Sequence, residues 1–178
     1  SGKSTVLKCI NKEIDIESGR VLIDSQDISK IKYRKIPYFR RKLGMIFQDY
    51  KLLADRDVYD NIAIPLQIEG VNSKDIKEQV EQISQKIGLY SKLSSFPTGL
   101  SGGEMQRVAI ARALIKNPIA ILADEPTGNL DPAIADEILD LIELSTLSGT
   151  SVLMTTHNFH LIKPRKKRFL ELCDGRLV

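Results

Sequence analysis

The chain has 178 residues, of which 42% are hydrophobic and 28% are charged, and this is enough for one domain with a full core. A formal net charge of +3 is too small to argue for nucleic-acid binding by itself. The two cysteines, Cys9 and Cys173, form no CxxC pair, so the sequence argues against a zinc site and predicts free, buried thiols. No apolar run approaches about 20 residues, so no membrane-spanning helix is predicted.

The first segment, residues 1–5 (SGKST), matches the second half of the phosphate-binding motif GxxxxGK[ST]. In that motif the lysine reaches the β- and γ-phosphates and the hydroxyl binds Mg²⁺. We therefore assign Gly2, Lys3, Ser4 and Thr5 to nucleotide binding, and Ser4 also to the metal. A chance match in a terminal segment is the alternative. Because the first half of the motif is missing, the sequence predicts an N-terminally incomplete copy of a longer domain.

A predicted helix at residues 5–11 continues this segment, and the next clear element is the apolar run 43–47 (LGMIF). Continuous apolar runs of this length are typical of buried parallel strands. Ligands of open α/β sheets bind beyond the carboxyl ends of such strands. Gln48 follows this run directly, so we expect it to sense the γ-phosphate and the attacking water and to contribute to the metal site.

Residues 49–99 contain no strong strand signal and predict a mostly helical lobe inserted between two strands of the sheet, with one helix at 73–87. A further helix is predicted at 104–116, directly after the motif LSGGEMQ at residues 100–106. The pattern S-x-x-E in this motif is typical of a capping box, in which the Ser and Glu side chains satisfy backbone N–H groups at the start of a helix.

The two glycines of this motif are not explained by a cap, because Gly102 and Gly103 lower the helix propensity of the first turn. Glycines at the positive end of a helix dipole let backbone N–H groups approach an anion closely. We therefore predict that Ser101, Gly102 and Gly103 bind a γ-phosphate. This helix start and the one at Lys3 could serve the same nucleotide only if they met in space, which two chains arranged head to tail would allow.

The apolar run 119–123 (IAILA) predicts a second buried strand, and Asp124 and Glu125 follow it. Because side chains alternate along a strand, the two carboxylates face different partners. We expect Asp124 to hold Mg²⁺, directly or through water, and Glu125 to orient or deprotonate the attacking water. An acidic turn at the end of a strand is the alternative for this pair.

The next predicted helix spans residues 132–147. Asp131 suits the N-cap and Pro132 the first helical position, and Gly149 suits the exit from the helix.

A third strand is predicted at residues 151–154 (SVLM), and His157 follows it after two threonines. A single histidine is more often structural, but its position at the same sheet edge as Asp124 makes His157 a site residue. The closing residues 168–178 predict a hairpin that turns at Asp174 and Gly175.

Two basic runs lie at residues 30–42, with interleaved aromatic residues, and at 163–168. A solvated face is the default for such runs, and contact with nucleic acid or an anionic membrane is the alternative. Both runs are short and are flanked by acidic segments, so we expect no direct nucleic-acid partner.

These motifs, in this order, resemble those of the nucleotide-binding subunits of ABC transporters, and the resemblance extends over essentially the whole chain. The matching positions are Lys3 to Thr5 for the end of Walker A, Gln48 for the Q-loop, Leu100 to Gln106 for the signature, Ile119 to Asp124 for Walker B, Glu125 for the catalytic glutamate, Gly128 to Asp131 for the D-loop and His157 for the H-loop.

The resemblance implies a RecA-like P-loop NTPase core of the α/β class at about residues 1–48 and 117–178, with an antiparallel β part and an inserted helical lobe at about 49–116. It implies hydrolysis of ATP with Mg²⁺ and a head-to-tail homodimer, in which Ser101 and Gly103 of one chain complete the site of the other. The aromatic residue that stacks on adenine in this family lies upstream, so base recognition is assigned to no residue here.

The resemblance also implies a role for each of the site residues. Glu125, His157 and Gln48 are expected to be catalytic, Asp131 is expected to contact the nucleotide, and Ser4, Gln48 and Asp124 are expected to bind the metal.

Within the family, residues 47–66 and the segment ADEPTGNLD at 123–131 are similar to the cell-division ATPases. This similarity implies an FtsX-like transmembrane subunit as the partner and a peripheral position on the cytoplasmic face of the bacterial inner membrane. The ATPases of lipoprotein release and macrolide export share the sequence of residues 123–131 and are the alternative. They usually lack the sequence found here at residues 55–61.

Three other classes of protein are disfavoured. A DNA-repair or chromosome ATPase with the same signature would carry a coiled coil or zinc modules between the first motif and the signature, and a translation factor of this family would carry two sets of motifs. A catalytically inactive binding module is disfavoured because Lys3, Asp124, Glu125 and His157 are all present.

Overall fold

The computed structural model describes residues 2–178, and Ser1, the first residue of the SGKST segment, lies outside them. In chain order the elements are helix α1 (Lys3–Ile10), strands β1 (Leu22–Ile23) and β2 (Gln26–Asp27), helix α2 (Ile36–Arg41), strand β3 (Leu43–Ile46), helices α3 (Val58–Glu69), α4 (Ser73–Lys86) and α5 (Gly102–Leu114), strand β4 (Ala120–Asp124), helix α6 (Pro132–Leu147), strand β5 (Ser151–Thr155), helix α7 (Phe159–Ile162) and strands β6 (Leu172–Cys173) and β7 (Arg176–Leu177).

The three predicted strands form one parallel sheet in the order β3-β4-β5. Leu43 and Ser151 both pair with Ala120 of the central strand, and Asp124 pairs with Thr155 at the other end. The middle of β4 is completely or almost completely buried, as its continuous apolar sequence predicts. The carboxyl ends of all three strands therefore lie at one edge, where the sequence places its polar residues.

Helix α5 lies between two hydrophobic cores. Val108 and Ala111 belong to a core shared with α3 and α4, whereas Ile110 and Ala113 belong to a core shared with the sheet and α6. Close packing on β3 depends on Gly44, because a Cβ at that position would lie 2.9 Å from the carbonyl oxygen of Ala113. Helix α5, which begins with the predicted signature residues, is thus packed against both the helical segment and the sheet.

The segment between Gln48 and the signature is helical, as predicted, and it consists mainly of α3 and α4. Asp57 and Asn72 cap these helices by accepting hydrogen bonds from Asp60 N and Asp75 N. The division into a core and a lobe at residues 48 and 117 stays a prediction, because α5 packs on both sides of it.

The predicted bounds of α6 agree with the structure, in which Asp131 accepts a hydrogen bond from Ile134 N at 3.2 Å and Pro132 is the first helical residue. Helices α1 and α5 each begin two residues earlier than predicted. In α5 the reason is the capping box at Ser101, which places both glycines inside the first turn despite their low helix propensity.

Two short antiparallel hairpins, β1–β2 and β6–β7, accompany the parallel sheet. The second turns at Asp174 and Gly175, both with positive φ, as predicted. The β1–β2 hairpin was not predicted, because its turn residues Asp24 and Ser25 have positive φ but include no glycine.

Both cysteines are free, but the prediction that they are buried is wrong. Cys9 is half-buried on α1, and Cys173 is exposed because the two-stranded hairpin that carries it leaves it uncovered. No helix within residues 2–178 is both long and apolar enough to cross a membrane.

Candidate nucleotide-binding site

The structure joins the phosphate-loop segment to the end of the central strand. The Ser4 hydroxyl, in the first turn of α1, donates a hydrogen bond to Asp124 Oδ1 at 3.0 Å, although the two residues are 120 positions apart. Thr155 Oγ1, at the end of β5, donates to the same oxygen at 2.6 Å. Gly2, with φ of 89°, forms the non-helical entry to α1, whose N-terminal N–H groups carry no side-chain cap. Such a helix start favours an anion.

Glu125 lies between two of the predicted site residues. Its Oε1 is 3.9 Å from Lys3 Nζ, and its Oε2 is 2.8 Å from His157 Nδ1 and 3.3 Å from the His157 backbone nitrogen. The Glu125 side chain is 15% exposed, whereas that of His157 is 68% exposed. The carboxylate is therefore shielded by the chain while its histidine neighbour remains open to a ligand.

The backbone of Glu125 is left-handed, with φ of 48°. This conformation is uncommon for a residue with a side chain and costs about 1–3 kcal/mol unless its surroundings impose it. Here the Glu125 N–H lies within hydrogen-bonding distance of two Thr155 acceptors, the carbonyl at 3.1 Å and Oγ1 at 3.3 Å. Thr155 thus orients both acidic residues, although it is not among the site residues predicted from the sequence. Its only sequence signal was its position at the end of the third strand.

Gln48 is held against the loop that follows Glu125. Its Nε2 donates to Asn129 Oδ1 at 3.4 Å, and Asn129 Nδ2 donates to the Gln48 carbonyl at 3.2 Å. A Cβ at Gly128 would lie 3.0 Å from Gln48 Nε2, so the glycine permits this approach. Asn129 lies in the predicted D-loop, but the sequence assigned it no role, since nothing in the sequence showed that it would face Gln48.

An open cleft of about 530 Å³ lies at this sheet edge, and the residues that line it include Ser4, Gln48, Asp124, Asn129 and Lys8. A hydroxyl, an amide and a carboxylate supply the oxygen ligands that Mg²⁺ prefers. The predicted metal residues Ser4, Gln48 and Asp124 therefore share one cleft and fit a magnesium ion. Within residues 2–178 no group of three or more His, Cys, Asp and Glu side chains is arranged to hold a metal.

Of the predicted nucleotide residues, only Ser4 lines this cleft within residues 2–178. Gly2 and Lys3 adjoin it in sequence, whereas Ser101, Gly102, Gly103 and Asp131 lie elsewhere in the chain. Asp131 is exposed and caps α6. Thr5 is exposed on α1 and also lies outside the residues that line the cleft.

The start of α5 carries the predicted capping box. The Ser101 N–H donates to Glu104 Oε2 at 2.9 Å, and the Glu104 N–H donates to Ser101 Oγ at 3.3 Å. Lys92 donates a further hydrogen bond to the Glu104 carboxylate, and this bond is the main cause of a lowered Glu104 pKa. The cap is therefore a charged one near neutral pH.

Packing also explains why glycine occupies positions 102 and 103 of the signature, and the sequence did not reveal this. A Cβ at Gly103 would lie 2.7 Å from Ile134 Cγ2 of α6, and a Cβ at Gly102 would lie 3.0 Å from the Tyr50 hydroxyl. Gly103 is buried within the chain. Close contact with neighbouring side chains is thus an explanation for these glycines in addition to the predicted approach of an anion.

The two basic runs differ in their surroundings. In the second run, Arg165 donates hydrogen bonds to the side chains of Asp136, Asp140 and Glu143, all on α6. Burial lowers the pKa of Arg165, but these carboxylates outweigh it and raise the pKa above the ordinary value. In the first run the cations at 30, 32, 34 and 35 are exposed, as expected for a solvated face.

Comparison with known proteins gives the same family as the motifs. The family model described as ABC transporter matches residues 1–128. The cell division ATP-binding protein FtsE of Escherichia coli K12 is 49% identical over 177 residues, which cover 99% of this chain and 80% of that protein. The protein of the same name from Streptococcus pneumoniae D39 is 43% identical over 178 residues, covering 100% of this chain and 77% of the relative.

A solved structure extends the comparison to three dimensions. It is the dimeric structure of a post-hydrolysis state of the ATP-binding cassette MJ0796 bound to ADP and Pi, with a TM-score of 0.79 and 31% sequence identity. The match covers 90% of this chain and 72% of that one, and it confirms the predicted ABC ATPase fold. The chain therefore belongs to the ABC transporter family, and within it to the cell division ATP-binding proteins.

Proposed function

We propose that this chain binds and hydrolyses ATP as the nucleotide-binding subunit of a cell-division ABC complex of the FtsEX type. One observation carries the chemical part of the proposal. The hydrogen bond of 3.0 Å from Ser4 Oγ to Asp124 Oδ1 brings the phosphate-loop segment to the acidic end of the central strand, with Glu125 next in sequence. The names of the FtsE relatives support the cell-division part.

Lys3 and the start of α1 would hold the phosphates. The lysine supplies a full positive charge, and the first-turn N–H groups supply the positive end of a helix dipole. Ser4, Gln48 and Asp124 would hold Mg²⁺, which neutralises part of the phosphate charge when it is bound. All three residues line the cleft, and Lys3 precedes Ser4 in the sequence.

Glu125 would accept a proton from the attacking water, and Gln48 would orient that water. The distance of 2.8 Å between Glu125 Oε2 and His157 Nδ1 gives His157 the means to hold the carboxylate in place. Lys3 Nζ, 3.9 Å from Glu125 Oε1, brings the phosphate-binding charge close to the same carboxylate. These contacts support assigning the general base to Glu125.

Two chains arranged head to tail would form complete sites. Ser101 is exposed and Gly102 is half-buried, and neither lines the cleft of its own chain, so both can face the nucleotide of another chain. Gly103, which is buried, would support them from the first turn of α5. Asp131 would contribute from the loop before α6. The dimeric state of the solved relative bound to ADP and Pi supports this arrangement.

The membrane partner would be an FtsX-like transmembrane subunit, and the chain would lie at the cytoplasmic face of the inner membrane. The segment 53–56, just beyond the cleft, is exposed and offers a surface for such a partner. Tyr59, three residues beyond this segment, packs against the helical core and therefore offers less surface to such a partner.

The test is the substitution Glu125→Gln, with Glu137→Gln as a matched control on the exposed face of α6. Phosphate release should fall by about 100-fold or more in Glu125→Gln, because loss of a general base has an effect of that order. Binding of ATP, measured with a fluorescent nucleotide, should be retained. Unchanged turnover in Glu125→Gln would remove Glu125 from this role.

A further inference from the structure

The turn that follows Gln48 has an unusual backbone. Tyr50 and Lys51 are consecutive residues with φ of 60° and 48°, in the left-handed region that favours glycine. Such a pair persists only where neighbouring groups impose it. The groups that impose this conformation on Tyr50 and Lys51 also restrict the backbone near Gln48, which lies two residues before Tyr50.

Arg112 of α5 supplies the constraint. Its guanidinium donates to the Tyr50 carbonyl at 2.7 Å and to the Lys51 carbonyl at 2.7 Å. Burial lowers the pKa of Arg112. Within residues 2–178 no carboxylate forms an ion pair with Arg112. A charged donor in a partly desolvated place makes strong hydrogen bonds, and the planar fork of arginine suits two adjacent acceptors. Arg112 therefore binds the turn itself, not an acidic side chain.

The same turn also touches the start of α5. A Cβ at Gly102 would lie 3.0 Å from the Tyr50 hydroxyl and 4.0 Å from Cζ of that ring. The Tyr50 backbone is thus fixed to the middle of α5 through Arg112, and its side chain lies against the first helical residue. Gln48, two residues earlier, lines the nucleotide cleft.

We propose that Arg112 and Tyr50 are positioning residues, which hold Gln48 in the nucleotide cleft and fix the first turn of α5 relative to it. This inference rests on the proposed function, because it takes Gln48 and the signature residues to act in hydrolysis.

The first experiment replaces Arg112 with lysine, which keeps the charge but cannot fork to both carbonyls. The matched control is Arg107→Lys, on the same helix, whose partner is the Glu137 side chain. In Arg112→Lys we expect kcat for ATP to fall by about tenfold while the dissociation constant of ATP stays within about twofold. Amide hydrogen exchange of residues 48–51 should accelerate in Arg112→Lys and not in Arg107→Lys.

Two results would overturn the proposal for Arg112. One is an unchanged kcat, and the other is a loss of ATP binding that accounts for the whole loss of activity. If the unsubstituted protein hydrolyses no ATP, the proposed function fails, and hydrogen exchange of residues 48–51 still tests the contact by itself.

The second experiment is a double-mutant cycle between Gly102→Ala and Tyr50→Phe. Alanine at 102 meets the Tyr50 hydroxyl, and phenylalanine at 50 removes that oxygen. The loss of kcat caused by Gly102→Ala should therefore be smaller, by about threefold or more, in the Tyr50→Phe background. The midpoint of thermal unfolding should show the same sign of coupling. Additive effects in both measurements would show that the two residues are not in contact and would overturn the proposal.

Discussion

At the residue scale, Thr155 connects the two acidic residues of the site. Its hydroxyl donates to Asp124 Oδ1 at 2.6 Å and lies 3.3 Å from the Glu125 backbone nitrogen, with the geometry of an acceptor. One side chain thus orients the proposed metal ligand and supports the left-handed backbone of the proposed general base. Because Thr155 is only 8% exposed, water is poorly placed to replace its hydroxyl group.

The substitution Thr155→Val keeps the shape of the side chain and removes both hydrogen bonds. We expect the Mg²⁺ concentration for half-maximal ATPase activity to rise several-fold and kcat to fall by about tenfold, because second-layer hydrogen bonds fix ligand orientation. A suitable control is Thr150→Val, since Thr150 is also buried and its hydroxyl donates to the Pro118 carbonyl at 2.9 Å. Both variants should lose about 1 kcal/mol of stability, so equal activity in the two would contradict the role of Thr155.

At the element scale, the sequence predicted the boundaries of an element well where capping residues specify them. Helix α6 agrees with the prediction at both ends, because Asp131 and Pro132 specify its start and Gly149 its exit. The β1–β2 hairpin was missed because its turn contains no glycine. The type of each element could be predicted from the pattern of apolar residues, whereas a turn with positive φ but no glycine gave no signal in the sequence.

The site divides in a similar way. The sequence predicted that Gln48 and Asp124 meet, because strand ends in an open sheet converge, and it assigned Ser4 to the same metal from the phosphate-loop motif. Thr155 and Arg112 could not be predicted, since their contacts depend on the register of β4 against β5 and on how α5 crosses the turn after Gln48. Tertiary packing sets these distances, and a single sequence does not record them.

The cap of α5 also gives a pH prediction at this scale. Hydrogen bonds from the Lys92 side chain and then the Ser101 backbone lower the pKa of Glu104 below the ordinary value of 4.5. A carboxyl whose pKa is lower in the folded state stabilises the fold above its unfolded pKa, and that contribution is lost as the pH falls through the folded pKa. The cap should therefore weaken as the pH falls below about 4.5.

The measurement is the midpoint of thermal unfolding between about pH 3 and pH 7. Glu104→Gln should lower the midpoint at neutral pH and should make it less dependent on pH at the acidic end. The exposed Glu17→Gln is the control and should follow the unsubstituted protein. Parallel curves for Glu104→Gln and the unsubstituted protein would show that the charge of the cap contributes nothing.

At the scale of the whole molecule, the proposed phosphate-binding groups lie in two separate places. Lys3 and Ser4 stand at the sheet edge, and Ser4 lines the cleft, whereas Ser101 and its glycines begin a helix outside that cleft. In a two-fold symmetric head-to-tail dimer the same two surfaces meet twice, so each nucleotide would contact Lys3 of one protomer and Ser101 of its partner. In such a dimer, the signature residues of a protomer need no contact with the cleft of the same protomer.

Mixing two inactive variants tests this shared site. Lys3→Ala removes the phosphate-binding charge, and Ser101→Arg places a large cation at the signature. A heterodimer of the two has one site with both defects and one intact site, so an equal mixture should regain about a quarter of the normal number of sites. The control mixture combines Lys3→Ala with the double variant Lys3→Ala/Ser101→Arg, in which every site lacks the lysine. If heterodimers form and the first mixture is no more active than the control, each chain must complete its own site, and the head-to-tail arrangement would have to be abandoned.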